Sequence, residues 1–195
     1  MPITIVTGPP GASNSTVAAA LARSSPLGVH LFADECFRWV VSGFVPLWSP
    51  DAEGQRATAI DAVGAAAGRF ADGGYEGYEV AVGRIVGPWL LDRLCLAAGS
   101  SVGALRYVVL RPSREVAVRR AVSRTGRHDP TKPAPVEVMY DTFADPGHYE
   151  IHVVDSSALG SAVTADVVRA GVATGRFDVS MHDLPRLPGG DPAAT

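Results

Sequence analysis

The sequence predicts an α/β fold in which a doubly wound, five-stranded parallel sheet carries helices on both faces. Five short apolar runs alternate with stretches whose apolar residues recur at helical spacing, and Gly, Pro or Asp separate them. Strands that alternate with helices pair in parallel, which favours this class. The strands are expected at 3–6, 27–32, 78–82, 104–110 and 151–154. The helices are expected at 15–23, 36–41, 57–70, 90–96, 114–124, 136–143 and 162–173.

Length and composition bound the number of domains and the class of partner. The 195 residues, 47% of them hydrophobic, suffice for one packed core. We expect one domain over 1–178 and a flexible Pro- and Gly-rich tail over 179–195. The net charge of −3 and the lack of a long basic run disfavour nucleic acid and anionic membranes. A small molecule is the expected partner, and without a charged leader or membrane-length apolar run we expect a cytoplasmic protein.

The first strand leads directly into a turn that matches most of a phosphate-binding loop. In the form G-x-x-x-x-G-K-[ST], backbone N–H groups cradle phosphates, the Lys reaches the outer phosphates and the hydroxyl holds Mg²⁺. Gly8 and Ser15 match this form, whereas Ser13 replaces the second Gly and Asn14 replaces the Lys. The following helix places its N-terminus at the loop, where an anion is favoured. The candidate phosphate-loop residues are Gly8, Gly11, Ser13, Asn14, Ser15 and Thr16.

A second group of candidates follows the second and third strands. Asp34 and Glu35 come at the end of the second strand, and a turn at 83–89 with Arg84 and Trp89 follows the third. Ligands of open parallel sheets bind outside the carboxyl ends of the strands. The loop, Asp34 and this turn are therefore expected to surround one cleft. Asp34 could also cap the helix that follows it.

Taken together, these motifs resemble the P-loop kinases of the chloramphenicol phosphotransferase-like group, relatives of small nucleoside and gluconate kinases. The resemblance runs from about residue 2 to 173 and implies one P-loop kinase-like domain. It implies that Asp34 orients or deprotonates the acceptor hydroxyl and that arginines of a lid-like helix close over the transferring phosphoryl group. It rests on 7–12, Asp34 with 42–43, 73–75, 85–89 and 109–112, and the lid-like arginines are Arg120, Arg124 and Arg127.

The chain differs from these kinases at positions that take part in phosphoryl transfer. It has Ser13-Asn14 where they generally have Gly-Lys, and Gly83-Arg84 where they commonly have Asp-Gly. Phosphoryl transfer depends mostly on positioning and charge stabilisation. In a water-excluded cleft, losing one such contact costs on the order of 10² to 10³ in rate. The changes at Ser13, Asn14 and Gly83, all expected in one cleft, together argue against efficient ATP-dependent transfer.

Three functions are open at this point. In the first, an enzyme without metal or cofactor catalyses acid–base chemistry such as proton transfer, cyclisation or dehydration: Asp34 is the acid or base, Asn14 and Ser15 polarise a substrate oxygen, and Arg84 holds an anion. In the second, Arg84 replaces the loop Lys of an ATP- and Mg²⁺-dependent small-molecule phosphotransferase. The third is a ligand-binding pseudokinase. The expected substrate-binding residues are Ser13, Ser15, Glu35, Trp39, Trp89, Arg120, Arg124 and Arg127.

Overall fold

A mainly parallel sheet with helices packed on both faces forms the fold. The computed structural model describes residues 2–47, 49–80, 90–99, 103–124 and 132–180, and of 76–80 only the backbone. The strands are β1 (Pro2–Thr7), β2 (Gly28–Phe32), β3 (Glu76–Val80), β4 (Ala104–Leu110), β5 (Val153–Val154) and β6 (Asp178–Val179). The helices are α1 (Asn14–Arg23), α2 (Asp34–Arg38), α3 (Glu53–Asp72), α4 (Leu91–Ala98), α5 (Arg114–Val122), α6 (Pro133–Asp141) and α7 (Ser161–Ala173), with 3-10 turns at Pro50–Ala52 and Gly147–His152.

The described strands pair in the order β2-β3-β1-β4-β5, and these five run parallel. The carboxyl ends of β1, β2 and β3 therefore lie side by side, as predicted. β6 runs antiparallel to β4. It shares the outer edge of β4 with β5, since β5 pairs with residues 109–110 and β6 with residues 105–106.

The two faces of the sheet carry separate apolar clusters because successive side chains of a strand point to opposite sides. Ile3 and Ile5 of β1 pack with α3 and α4, whereas Val6 packs with α1 and α7. The helices on both faces and the parallel pairing confirm the predicted fold class. Of the helices that the structure describes, none combines the length and the apolar character needed to cross a membrane.

The last part of the chain departs from the predicted elements. The fifth strand was expected to begin at Ile151, but the chain forms a 3-10 turn up to His152 and the strand is only Val153–Val154. Three residues complete one 3-10 turn, so this turn buries Tyr149 and His152 on the same side. An alternating strand could not do so. The two-residue β6 was not predicted, since such a short segment carries no periodic pattern.

The approach of α3 to α4 generates a first prediction. A Cβ atom on Gly68 would lie 2.1 Å from the carbonyl oxygen of Ala98 in α4. Gly68→Ala should therefore force the helices apart and lower the free energy of unfolding by about 1–3 kcal/mol. Gly54→Ala in the same helix meets nothing within 4 Å and is the matched control. Urea denaturation of both variants checks this, and equal stabilities would contradict it.

The buried His152 and the partly buried His30 generate a second prediction. His152 is 4% exposed, and its Nδ1 lies 2.7 Å from the carbonyl oxygen of Tyr107. Burial is the main cause that lowers the pKa of His152, and burial followed by the charge of Arg23 lowers the pKa of His30. Because both folded pKa values lie below the usual 6.5, the unfolded chain binds more protons at mildly acidic pH. The free energy of unfolding should therefore fall as the pH drops below about 6.5.

Urea denaturation across this pH range measures the effect. His152→Gln should flatten the pH dependence because it removes one of the two titrating groups. His148→Gln is the control, since His148 is exposed and four residues away. A pH dependence unchanged by His152→Gln but reduced by His148→Gln would contradict the assignment.

Candidate functional site

The loop after β1 is pressed against the neighbouring backbone at two glycines. A Cβ atom on Gly8 would lie 2.0 Å from the carbonyl oxygen of Leu110, and one on Gly11 would lie 2.2 Å from that of Ala117. Their φ angles are +148° and +88°, which L side chains rarely adopt. The two glycines therefore hold the loop between the end of β4 and the side of α5.

Ser13 has the backbone conformation of a glycine without being one. Its φ and ψ angles are 70° and 25°, in the left-handed region, and its side chain makes no capping hydrogen bond to α1. Among the described residues other than Gly, it is the one with a positive φ. Its carbonyl accepts the first helical hydrogen bond, from the N–H of Val17 at 3.0 Å. The loop thus keeps the shape that a glycine would favour at this position.

Asn14 lies where the motif has its Lys and turns its side chain into the loop. It is 4% exposed, and its Nδ2 donates a hydrogen bond to the carbonyl of Gly8 at 3.0 Å. The opposite amide orientation would place two acceptors against each other, which fixes Nδ2 as the atom at Gly8. Oδ1 is buried and has no partner among the described residues. Asn14 therefore uses one of its two N–H donors within the loop.

The loop, the start of α2 and the segment just after α5 line a small open depression, with an enclosed space of about 10 Å³. The structure brings Asp34 and Arg124 together there with the loop. Asp34 is the first residue of α2, directly after the N-cap residue Ala33. The lining residues are Pro9, Pro10, Gly11, Ala12, Ser13, Asn14, Ser15, Asp34 and Arg124.

The described residues bring both signs of charge to this depression. Among those of its lining residues that the structure describes, Arg124 is the one cation and Asp34 the one carboxylate. α1 begins at Asn14, so its unpaired N–H groups and dipole add partial positive charge at the loop. The depression therefore combines donors on the loop and at Arg124 with a carboxylate at Asp34.

Several residues predicted for the site lie elsewhere. Glu35 forms an ion pair with Arg38 on α2. Trp39 is 69% exposed and, like Thr16, does not line the depression. Arg84, Trp89 and Arg127, together with the turn at 83–89, lie outside the described residues.

Arg120 connects α5 to the segment after β5 instead of lining the depression. Its guanidinium donates hydrogen bonds to the carbonyls of Ser156, Ser157 and Leu159 at 3.2–3.5 Å. Asp155 accepts hydrogen bonds from the N–H and hydroxyl of Ser157. These bonds lower the pKa of the Asp155 carboxyl, and they stabilise the turn that follows β5. The hydrogen bonds between Arg120 of α5 and the carbonyls of 156–159 were not predicted from the sequence, because an Arg in a helical pattern does not indicate which backbone groups it will bind.

Comparison with solved structures identifies the kind of fold. The chain superposes on a sugar kinase from Janibacter sp. HTCC2649 with a TM-score of 0.62 and 14% identity, over 89% of this chain and 95% of that one. It superposes on a provisionally assigned kinase from Chloroflexus aurantiacus with a TM-score of 0.61 and 22% identity, over 89% and 96%. For the tunicamycin resistance protein of Deinococcus radiodurans the values are 0.60 and 18%, over 89% and 96%.

These similarities show a kinase-like α/β fold over most of the chain. No protein-family model and no curated protein sequence matches it. The fold is shared at low sequence identity, so what the site does has to be argued from its own residues.

The strained backbone of Ser13 generates a third prediction. Ser13→Gly should raise the free energy of unfolding by about 1 kcal/mol, because Gly adopts the left-handed conformation without steric cost. Gly11→Ala should lower it, because a Cβ atom there would collide with the Ala117 carbonyl. Chemical denaturation of both variants is the measurement. A Ser13→Gly variant less stable than the parent would show that the serine side chain makes a compensating contact.

Proposed function

We propose that this chain is a kinase-fold enzyme that catalyses ATP-independent acid–base chemistry on a small organic molecule. The observation that carries this proposal is the hydrogen bond from Asn14 Nδ2 to the Gly8 carbonyl. It commits one of the two N–H donors of the residue at the Lys position to the loop itself, and that residue carries no charge. Asp34 remains at the depression, where it can exchange a proton with a bound compound.

The residues of the loop do not fit the polyphosphate of ATP. Lys would offer three N–H donors and a full charge to phosphate oxygens, whereas Asn14 offers a neutral amide, one of whose two N–H donors is already used within the loop. Asp34 adds a carboxylate to the same depression. The loop therefore lacks, at the position of the motif's Lys, the cation that favours a polyphosphate.

In the proposed reaction, Asp34 accepts a proton from an acidic C–H or O–H group of the substrate. The electron pair of the broken bond stays on the substrate, where the loop N–H groups and Arg124 stabilise the developing negative charge. Returning the proton to another atom gives an isomerisation or a cyclisation. Returning it to a departing hydroxyl gives water and a dehydrated product. Arg84, predicted to hold the anion, stays a prediction, and Arg124 is the described residue suited to that role.

A second candidate function is ATP-dependent phosphorylation of a small hydroxylated compound. It is favoured by Arg124, which lines the depression and could replace the charge of the missing Lys. In this candidate Asp34 would deprotonate the acceptor hydroxyl and Ser15 would be the metal-facing hydroxyl. Calorimetric titration of the full chain with Mg-ATP separates the two candidates. Our proposal expects no binding, and micromolar affinity would overturn it.

Catalysis by Asp34 generates a fourth prediction. The purified protein is incubated with a small-molecule cell extract, and mass spectrometry identifies the compounds that are consumed and formed without added ATP. Asp34→Asn should lower this conversion by about 10² to 10⁴-fold, as expected for the loss of a general acid or base. Glu35→Gln is the matched control, because the adjacent carboxylate pairs with Arg38.

Circular dichroism of Asp34→Asn checks that it folds. Full conversion by a folded Asp34→Asn variant would remove Asp34 from its proposed role. Conversion by neither the parent protein nor its variants would favour a binding protein of kinase-like fold without turnover.

A further inference from the structure

We infer that two copies of this chain form a symmetric dimer by pairing strand β2 of one copy with β2 of the other. β2 is the outer strand at one end of the described sheet, and among the described strands it pairs with β3 alone. In a parallel pair, every second residue directs its N–H and C=O groups away from the neighbouring strand. The free edge of β2 therefore presents backbone donors and acceptors that a further strand can bind.

The two edges of the described sheet are built differently. At the edge opposite β2, the strands β5 and β6 have two residues each, and so short a strand offers little backbone for pairing. β2 has five residues, none of them charged and none of them Pro, although these are the residues with which proteins commonly block an exposed edge. All five are half-buried, so the strand is still accessible. The β2 edge thus lacks the protection that the other edge has.

The amino end of β2 carries an apolar side chain and a cation. Leu27, directly before the strand, is 53% exposed. A Cβ atom on Gly28 would lie 1.9 Å from the carbonyl oxygen of Ala22, so the last turn of α1 lies against the start of β2. Arg23, the last residue of α1, is exposed there. A partner that binds along this edge should therefore bring apolar side chains and a carboxylate to this end.

The carboxyl end of β2 carries such groups. The Arg38 guanidinium lies 6.0 Å from the centre of the Phe32 ring, so α2 lies close to the end of the strand. Glu35 in the first turn of α2 pairs with Arg38, but its side chain is 43% exposed and its carboxylate can accept from a second cation. Trp39 and Val41, which follow α2, are 69% and 95% exposed. The carboxyl end thus offers what the amino end calls for.

Two-fold symmetry brings these two ends together. An isologous interface pairs the same surface of both copies, and a strand paired with its own copy across a two-fold axis runs antiparallel to it. The amino end of each β2 then meets the carboxyl end of the other. Leu27 of one copy comes to the end where Trp39 and Val41 of the other are exposed, and Arg23 comes to the end that carries Glu35. Each contact occurs twice, which favours a second copy of this chain over an unrelated strand.

The mass of the full chain in solution tests the dimer. Sedimentation equilibrium from micromolar to submillimolar concentration should show a species with twice the chain mass of 20.3 kDa. Hydrogen exchange followed by NMR at both ends of this range should show slower exchange for alternate amides of 28–32 in the dimer, because only the N–H groups of the outer edge gain a partner. A monomer throughout, or a dimer in which these amides are unaffected, would overturn the inference.

Charge reversal at the two ends makes the test specific. Arg23→Glu and Glu35→Lys should each weaken self-association by about 10-fold at low ionic strength, since each brings like charges together twice in the dimer. Mixing the two variants should restore association, because both contacts of the mixed dimer again join opposite charges. Arg119→Glu is the control and should leave the dimer unchanged. This exposed Arg lies on α5, which follows β4, and β1 and β3 separate β4 from β2.

Leu27→Lys tests the apolar contact. It should weaken association by about 100-fold, because two apolar side chains of the dimer lose their burial. Val163→Lys is the control, since Val163 is 51% exposed on α7 and should not touch the partner. Thermal unfolding of each variant checks that it is folded. A dimer that withstands Leu27→Lys and both charge reversals, or one weakened by the two control substitutions instead, would use another surface and overturn the inference. Failure of the mixed variants to associate would overturn the antiparallel arrangement.

Discussion

The site depends on how closely the loop after β1 approaches the backbone around it. Gly8 lies against the Leu110 carbonyl and Gly11 against the Ala117 carbonyl, so closely that a Cβ atom on either glycine would overlap the carbonyl oxygen. These two contacts pack the loop after β1 directly against the end of β4 and the side of α5. They also fix where α5 ends relative to the loop, and so they bring Arg124 to the depression while the start of α2 brings Asp34.

The loop at these contacts matches the phosphate-loop motif in backbone shape but not in side-chain charge. Ser13 holds the left-handed backbone conformation at the position where the motif has Gly. Asn14, at the position of the motif's Lys, donates a hydrogen bond to the Gly8 carbonyl inside the loop. The backbone shape suits an anion, whereas Asn14 carries no charge. A kinase-like fold therefore does not by itself specify what the site does.

Arg120 and Arg124 have different surroundings because α5 ends between them. α5 ends at Val122, so Arg120 still follows the helical periodicity and Arg124 does not. Arg120 points to the segment after β5 and binds three of its carbonyls. Arg124 lies two residues beyond the end of the helix and lines the depression beside the loop. Four residues apart on a continuous helix, the two side chains would have shared one face.

The sequence alone determined the α/β class, the parallel pairing of the strands and the tight loop that follows β1. These features follow from local causes: apolar periodicity, β-branched runs and the glycines that a tight turn requires. It also indicated Asp34, because the carboxyl ends of parallel strands meet at one edge. Three contacts were decided only by the tertiary structure. Asn14 donates to the Gly8 carbonyl, and Arg120 donates to carbonyls of 156–159. Of Arg120 and Arg124, only Arg124 lines the depression. Each depends on groups that only folding brings together, and such a contact leaves no periodic pattern or fixed spacing in the sequence.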